Sequence, residues 1–348
     1  MCEVIDQPEN NRVRRGDHQL GAAGREAEQD AGRENEEKDG HKKCAEPVHF
    51  ILRTNVFWPN VTRISERSRL DTMTDTGNWI TESSESDTRT SYPVTARVWE
   101  GATAACESVV IADSAVFGRM LFLDGELQSA SADEHIYHEA LVHPVMTMAP
   151  VDARVLVVGG GEGATVREVL KWKPRFVDWV DIDGDLVDLC RKHLGWAPDV
   201  YADPVVKFHG ADIRETLPEL GIYDVIILDL PDPDGDTGYL YSDAFMAVLH
   251  AHLDLYGSMV THCGPVRPFG NIGEGFQRLR RQFGSQRFYT QMIPSFQSEW
   301  GFLLWSGQGL FRPEYTFPDG LRVADPHQMV IWENPSKLWR SALAASAK

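Results

Sequence analysis

Apolar residues in the middle of the chain fall into short strand-like runs alternating with stretches of helical spacing. The pattern is densest between Arg154 and Asp183. Arg154–Val158 is a mostly β-branched run, Gly159, Gly160, Gly161 and Gly163 enclose Glu162, and Val166, Val169 and Leu170 follow at helical spacing. A strand, a tight turn and a helix are predicted there. A second strand, Phe176–Val180, ends on Asp181, about 20 residues on, where a nucleotide-binding βαβ unit sets an acid against ribose hydroxyls.

The same rhythm continues downstream. It predicts a helix at Leu186–Leu194, strands at Val205–His209 and Tyr223–Leu228, a helix at Asp243–His252 and a strand at Ser258–Cys263. A helix at Gly273–Phe283 and strands at Arg287–Met292 and Phe302–Ser306 complete the set, and residues beyond about 325 read as a peripheral tail. Successive strands deliver acids at their carboxyl ends: Asp181, then Asp212, then Asp229 with Asp232. In open α/β sheets that edge binds ligands.

Upstream, strand periodicity begins near Val94. Strands at Glu107–Ala112, Arg119–Leu123 and Glu126–Ser129, with turns at Ser114–Gly118 and Asp124-Gly125, predict a small antiparallel β domain. Glu134–Met148 then reads as a helix carrying Ile136, Ala140 and Val145 inward. Taken alone, Tyr137 and His138 suggest a half-buried tyrosine beside a surface histidine. The predicted fold class is α/β, with an N-terminal antiparallel β domain plus linking helix over 73–150, a Rossmann-like class I methyltransferase-type domain over 151–325 and a tail over 326–348. Residues 1–72 mix charges with glycine and glutamine without sustained periodicity, which predicts a disordered or non-native extension. Its apolar patch, Phe50–Trp58, is too short to organise a domain, Asn60-Val61-Thr62 matches a glycosylation acceptor by chance, and Met73 is an alternative translation start.

Composition narrows the class. A chain of 348 residues, 42% apolar, can bury one large core or two smaller ones. Its apolar runs stay below the roughly 18 residues that span a bilayer, and its first stretch lacks a signal-peptide core, so a soluble cytoplasmic protein is expected. Five scattered cysteines without C-x-x-C spacing indicate neither a disulfide framework nor a zinc site. Of the formal charge of −18, residues 73–348 carry −16. That field repels nucleic acid and anionic membranes and attracts cations, although acidity also serves solubility alone.

Class I methyltransferases pair such a glycine turn with an acid ending the second strand, where S-adenosylmethionine binds. Two features point elsewhere. Glu162 stands where the amino-acid end of that cofactor would lie, so it favours a tail ending in a bare ammonium, the decarboxylated form. At roughly 4 Å and an effective dielectric of about 20, a like-charge contact with a carboxylate costs about 4 kcal/mol if uncompensated. The second feature is D-L-P-D-P at 229–233, which sets two carboxylates on a proline-stiffened turn. Two acids beside a sulfonium can hold a polyamine, and one can take the proton of an alkyl ammonium, whose pKa of about 10 keeps it from attacking while charged. Proton acceptance is typically worth about 10² to 10⁴ in rate, and in-line orientation of amine, methylene and sulfonium supplies much of the rest. This chemistry requires neither a metal nor a prosthetic group.

These residues resemble the polyamine aminopropyltransferases, the spermidine and spermine synthase family, over about residues 78–310. The resemblance rests on F-G-R-M-L-F-L-D-G-E-L-Q-S-A-S-A-D-E-H-I-Y-H-E at 117–139, G-G-G-E-G-A-T-V-R-E at 159–168, D-I-D at 181–183, D-L-P-D-P at 229–233 and I-P-S-F-Q-S-E-W-G-F at 293–302. Glu162, where spermidine synthases usually carry Asp, the D-L-x-D-P pattern and I-P-S-F followed by W-G look like the thermospermine synthase branch. The resemblance implies catalytic roles for Asp232 as proton acceptor, Tyr137 as its support and Asp229 as the holder of a substrate ammonium. It places Glu107, Gln128, Gly159, Gly161, Glu162, Asp181 and Asp212 on the co-substrate, decarboxylated S-adenosylmethionine. Within that set, Glu162 takes the aminopropyl ammonium, Asp181 the ribose and Asp212 the adenine amino group. His138, Glu162, Asp229, Asp232 and Phe296 fall in the polyamine pocket, and assembly as homodimers or homotetramers is implied.

Four positions depart from the family pattern. Glu107 occupies a predicted strand position usually held by Gln, D-G-D-T-G-Y-L-Y after Pro233 lacks the usual Gly-Pro, His262 stands for a Gln, and Phe296 replaces a tyrosine common in spermidine synthases. The expected activity is aminopropyl transfer to spermidine, giving thermospermine or spermine. Transfer to putrescine, methyl transfer to a cationic substrate and non-catalytic polyamine binding are the alternatives.

Overall fold

The computed structural model describes residues 78–83, 89–198, 200–231, 235–282, 286–307 and 316–346. The expectations for residues 1–72, Met73 and Asp232 lie outside them. The described residues all fall in one compact unit, which begins at Leu70.

Strands β1 (Trp79–Ser83) and β2 (Arg89–Pro93) form a two-stranded antiparallel ribbon that sequence periodicity did not predict. A four-stranded antiparallel sheet follows: β3 (Ala96–Gly101), β4 (Val109–Ser114), β5 (Gly118–Leu123) and β6 (Glu126–Ala130), in that order. Asp124 and Gly125, at φ 49° and 88°, make the tight β5–β6 turn. Two consecutive positive φ values are what a type I′ hairpin requires. The unbroken run of four buried residues at the start of β4 is explained by cover on both faces. Val110 and Ala112 face Tyr92, Phe122 and Leu127, while Val109 and Ile111 face Leu186, Cys190 and Leu194. Glu107 lies before β4 in an exposed bend, not in a strand as expected.

Helix α1 (Glu134–Met146) links this sheet to the larger one. Rather than presenting one apolar face, it is buried from Tyr137 to Met146 on every side. Glu134, His138, Glu139 and His143 are therefore buried too, and His138 is only 2% exposed, which overturns the surface histidine expected from the sequence.

The large sheet contains β7 (Arg154–Gly159), β8 (Phe176–Asp181), β9 (Val206–Gly210), β10 (Tyr223–Asp229), β11 (Leu253–Pro265), β12 (Gln286–Ile293) and β13 (Ser298–Ser306). Its spatial order is β12-β13-β11-β10-β7-β8-β9. The five strands from β11 to β9 are parallel, and β13 and β12 are antiparallel. Alternation along each strand feeds two cores: Val155, Val157, Val225 and Ile227 on one face, Leu156, Val158, Ile226 and Leu228 on the other. Helices α2 (Ala164–Leu170), α3 (Gly184–His193) and the short α4 (Ile213–Thr216) follow β7, β8 and β9, and α5 (Asp243–Ala251) and α6 (Glu274–Gln282) flank β11. The stretch expected as a peripheral tail forms α7 (Pro326–Glu333) and α8 (Lys337–Ser346), which bury Met329, Trp332 and Trp339 in the two cores. Chain direction across the sheet reverses between β7 and β10, the position at which open α/β sheets form a crevice.

Candidate active site

Gly159 and Gly160 end β7 at φ 82° and 69°, and Gly160 N–H donates to the Asp229 carbonyl at 2.8 Å. A Cβ on Gly159 would lie 2.1 Å from that carbonyl oxygen, so only glycine lets β7 and β10 meet here. A Cβ on Gly160 would lie 2.8 Å from Asp229 Oδ2, and one on Gly161 3.2 Å from Asp181 Oδ2. A carboxylate thus lies over each of two neighbouring glycines.

Asp181 terminates β8 and is 9% exposed. Burial, reinforced by the charges of Asp183 and Asp229, pushes its carboxyl up to about 7, against a 2.8 Å hydrogen bond from Asp183 N–H. Asp183 is fixed in turn: its Oδ1 accepts from Leu186 N–H, capping α3, and its Oδ2 accepts from the Thr103 hydroxyl. Asp212, at the N-cap of α4, accepts its own cap bond from Arg214 N–H at 2.8 Å and a fork from the Arg214 guanidinium. That guanidinium stacks 3.9 Å over the Tyr239 ring and holds the Asp212 carboxyl below its usual range.

Asp229, at the end of β10, accepts from Tyr137 Oη at 2.8 Å and Thr165 Oγ1 at 2.6 Å. The expected partner of Tyr137 was Asp232; among the described residues its hydroxyl sits on Asp229. Burial and the Asp229 charge keep the Tyr137 phenol protonated, well above its ordinary range. His138, His262, Phe296 and Phe302 surround its ring at centroid distances of 5.0, 5.9, 6.2 and 5.7 Å. His262 Nδ1 accepts from Trp300 Nε1–H at 3.2 Å, so Nε2 carries the proton, and it donates to the Leu230 carbonyl.

Glu162 stands within the glycine turn, and its Oε1 accepts from Ser129 Oγ at 3.0 Å and lies 2.9 Å from His138 Nε2. His138 Nδ1 faces Glu134, 2.6 Å from the carbonyl and 3.0 Å from Oε2. With acceptors at both ring nitrogens, His138 is an imidazolium, and the hydrogen bonds and charges of Glu134 and Glu162 outweigh burial in holding its pKa far above the ordinary value. The Glu162 charge is therefore already matched. The 4 Å repulsion argued from sequence assumed an uncompensated carboxylate, and its magnitude must be discounted accordingly.

Hydrogen bonds and ring contacts link Tyr137, His138, Glu162, Asp229 and Phe296, with Gly159 against Asp229 and Gly161 against Asp181. Gln128 is half-buried beside Ser129, and its Nε2 reaches only the Glu126 carbonyl at 3.4 Å. Glu107 is exposed. Sequence reasoning missed Ser129, Glu134, Thr165 and Arg167. All four stand inside the quoted motifs, but the contacts that give them a role, Ser129 to Glu162, Arg167 to Glu134 and Thr165 to Asp229, span 33 or more residues.

Strand order and the glycine turn define an α/β fold of the methyltransferase type. The family described as spermine/spermidine synthase domain matches residues 134–314, slightly over half of the chain, and the chain belongs to that family. Polyamine aminopropyltransferase 2 of Pseudomonas aeruginosa is 38% identical over 209 residues, covering 57% of this chain and 59% of the relative. Thermospermine synthase ACAULIS5 of Arabidopsis thaliana is 32% identical over 235 residues, covering 65% and 69%. A crystal structure of spermidine synthase with the transition-state analogue AdoDATO aligns with a TM-score of 0.70 at 24% identity, covering 78% of this chain and 96% of that one, and supports the fold. No helix among the described residues is long and apolar enough to cross a membrane.

Proposed function

We propose that the protein transfers the aminopropyl group of decarboxylated S-adenosylmethionine to a polyamine, with spermidine as acceptor and thermospermine or spermine as product. The observation that carries this reading is the set of acids at the glycine turn. Asp181, suited to ribose, lies over Gly161, Asp229 with Tyr137 lies over Gly160, and Glu162, suited to a terminal ammonium, stands within the turn itself. Family membership supports the same chemistry.

In the reaction, the amine lone pair attacks the aminopropyl carbon bound to the sulfonium. The carbon–sulfur bond breaks, sulfur keeps the electron pair as neutral 5′-methylthioadenosine, and the amine proton passes to a carboxylate. We assign that carboxylate to Asp232 from its motif position, with Asp229, oriented by Tyr137 and Thr165, holding a substrate ammonium. Asp212 is assigned to the adenine amino group, which requires Arg214 to share it. Glu107 is exposed, which weakens its assignment to the nucleoside. Phe296, against Tyr137, lines the acceptor side, and its lack of a hydroxyl favours a longer acceptor over putrescine. A cytosolic, self-associated enzyme is part of the same reading.

The test is to incubate the protein with decarboxylated or ordinary S-adenosylmethionine and each of putrescine, spermidine and spermine, and to identify products by chromatography that separates thermospermine from spermine. Methyl transfer from the ordinary cofactor alone, or binding without turnover, would overturn the proposal. Asp232→Asn is expected to lower turnover by about 10² to 10⁴ while nucleoside binding persists.

A further inference from the structure

We propose that Glu134 is a positioning residue for the co-substrate's tail: it keeps His138 doubly protonated and aims its Nε2–H at Glu162, which fixes Glu162 to receive a terminal ammonium. This rests on the reading of Glu162 given above and extends it to residues that touch no reacting atom.

The geometry is a buried relay across three elements. Arg167, on α2, donates to Glu134 Oε2 at 2.8 Å and to Oε1 at 3.1 Å. Glu134, at the start of α1, meets His138 Nδ1 one helical turn on, and His138 Nε2 meets Glu162 in the glycine turn. The side chains of Glu134, His138 and Glu162 are 4%, 3% and 9% exposed, so water does not replace these partners. Arg322 approaches Glu134 Oε1 at 3.9 Å, Arg167 also pairs with Glu168, and Ser129 donates to Glu162. His135 lies in the field of Glu134, and the Cys190 thiol and Tyr201 phenol lie in that of Glu162, both held protonated chiefly by burial. Tyr137, whose ring lies 5.0 Å from that of His138, stays on Asp229.

The consequence depends on which proton His138 would lose. Its Nδ1 lies 2.6 Å from the Glu134 carbonyl, a main-chain acceptor that no side-chain change removes. A neutral His138 therefore keeps the Nδ1 proton and turns an Nε2 lone pair toward Glu162 Oε1, 2.9 Å away. Donation becomes lone-pair repulsion, and Glu162 is displaced. With the Glu134 carboxylate present, the imidazolium is held. With Glu134→Gln, His138 titrates toward its ordinary range near 6.5.

The experiment measures dissociation constants by calorimetry from pH 6 to 8.5 for decarboxylated S-adenosylmethionine and for 5′-methylthioadenosine, which lacks the tail. For Glu134→Gln, the ratio of variant to wild-type constants is expected to rise about 10-fold across this range for the first ligand and stay flat for the second, since burial of an unsatisfied acceptor is worth about 1 to 3 kcal/mol. Adding His138→Gln, which donates without titrating, should flatten the ratio for both. A flat ratio for both ligands in Glu134→Gln alone overturns the proposal. Should that variant not fold, nitrogen NMR of His138 in the wild type decides: an imidazolium signature throughout the range supports the relay, and a neutral ring at pH 8 overturns it. The product assay with the two cofactors tests the underlying reading separately, because a protein that uses only ordinary S-adenosylmethionine refutes the function and leaves the protonation of His138 standing.

Discussion

Two acids near the glycine turn are buried in opposite ways. Asp181, at the end of β8, is 9% exposed and has acids for neighbours, and its carboxyl rises to about 7. Glu134, behind His138, is 5% exposed and faces His138 and Arg167, whose hydrogen bonds and charges overcome desolvation and lower its pKa to about 2. Asp181, with acids for neighbours, is left for a ligand to satisfy, whereas Glu134, matched by His138 and Arg167, holds His138 in place.

The stability consequences have opposite signs. Asp181 keeps its proton when folded, so its contribution is fully present below the unfolded value near 4 and is lost as pH rises through about 7. Glu134 contributes above its unfolded value near 4.5, and that contribution is lost as pH falls toward 2.

The largest test of the contrast removes a partner from the satisfied side. Arg167→Met leaves Glu134 buried with one cation fewer and is expected to destabilise the fold by about 3 to 5 kcal/mol in denaturant titration; a loss below 1 kcal/mol would break the comparison. Next in size, Asp181→Asn should leave stability at pH 8 unchanged or increased, yet weaken 5′-methylthioadenosine binding by about 10- to 100-fold, the range for a hydrogen bond to a charged group. Equal stability losses in the two variants would show that both acids are structural. The smallest effect is a proton count. Ribose hydroxyls that donate to Asp181 favour its ionised form, so nucleoside binding at pH 7 should release roughly half a proton, detected as a dependence of binding heat on buffer ionisation. The release should fade above pH 8 and vanish in Asp181→Asn.

The glycine turn and Asp181 were legible in the sequence, and the relay behind Glu162 was not. Gly159 to Gly163, Asp181 and the Asp124-Gly125 turn announce themselves through local backbone requirements, because each depends on residues within one strand or turn of itself. Strand boundaries in the large sheet came out within a few residues, except that β11 begins at Leu253 rather than Ser258. Helix α1 hid its role because it is buried on all sides, so its polar residues interrupt any apolar stripe and read as surface. Tyr137 was singled out by motif and found on Asp229, 92 residues away, while Arg167 and Glu134 acquire meaning only when α1 and α2 are packed together. Family resemblance named the positions, and only packing showed the imidazolium between Glu134 and Glu162.

Glu139, on the same helix, accepts hydrogen bonds from three successive main-chain N–H groups, those of Arg322, Val323 and Ala324, at 2.9, 2.7 and 2.9 Å. The family match ends at residue 314. A chain cut there would retain every residue assigned to the reaction, yet would strand a carboxylate that is 1% exposed on the helix bearing Tyr137 and His138. The segment that defines kinship is thus shorter than the segment that must fold, and any attempt to graft, shorten or recombine this catalytic unit has to carry its last thirty-odd residues along.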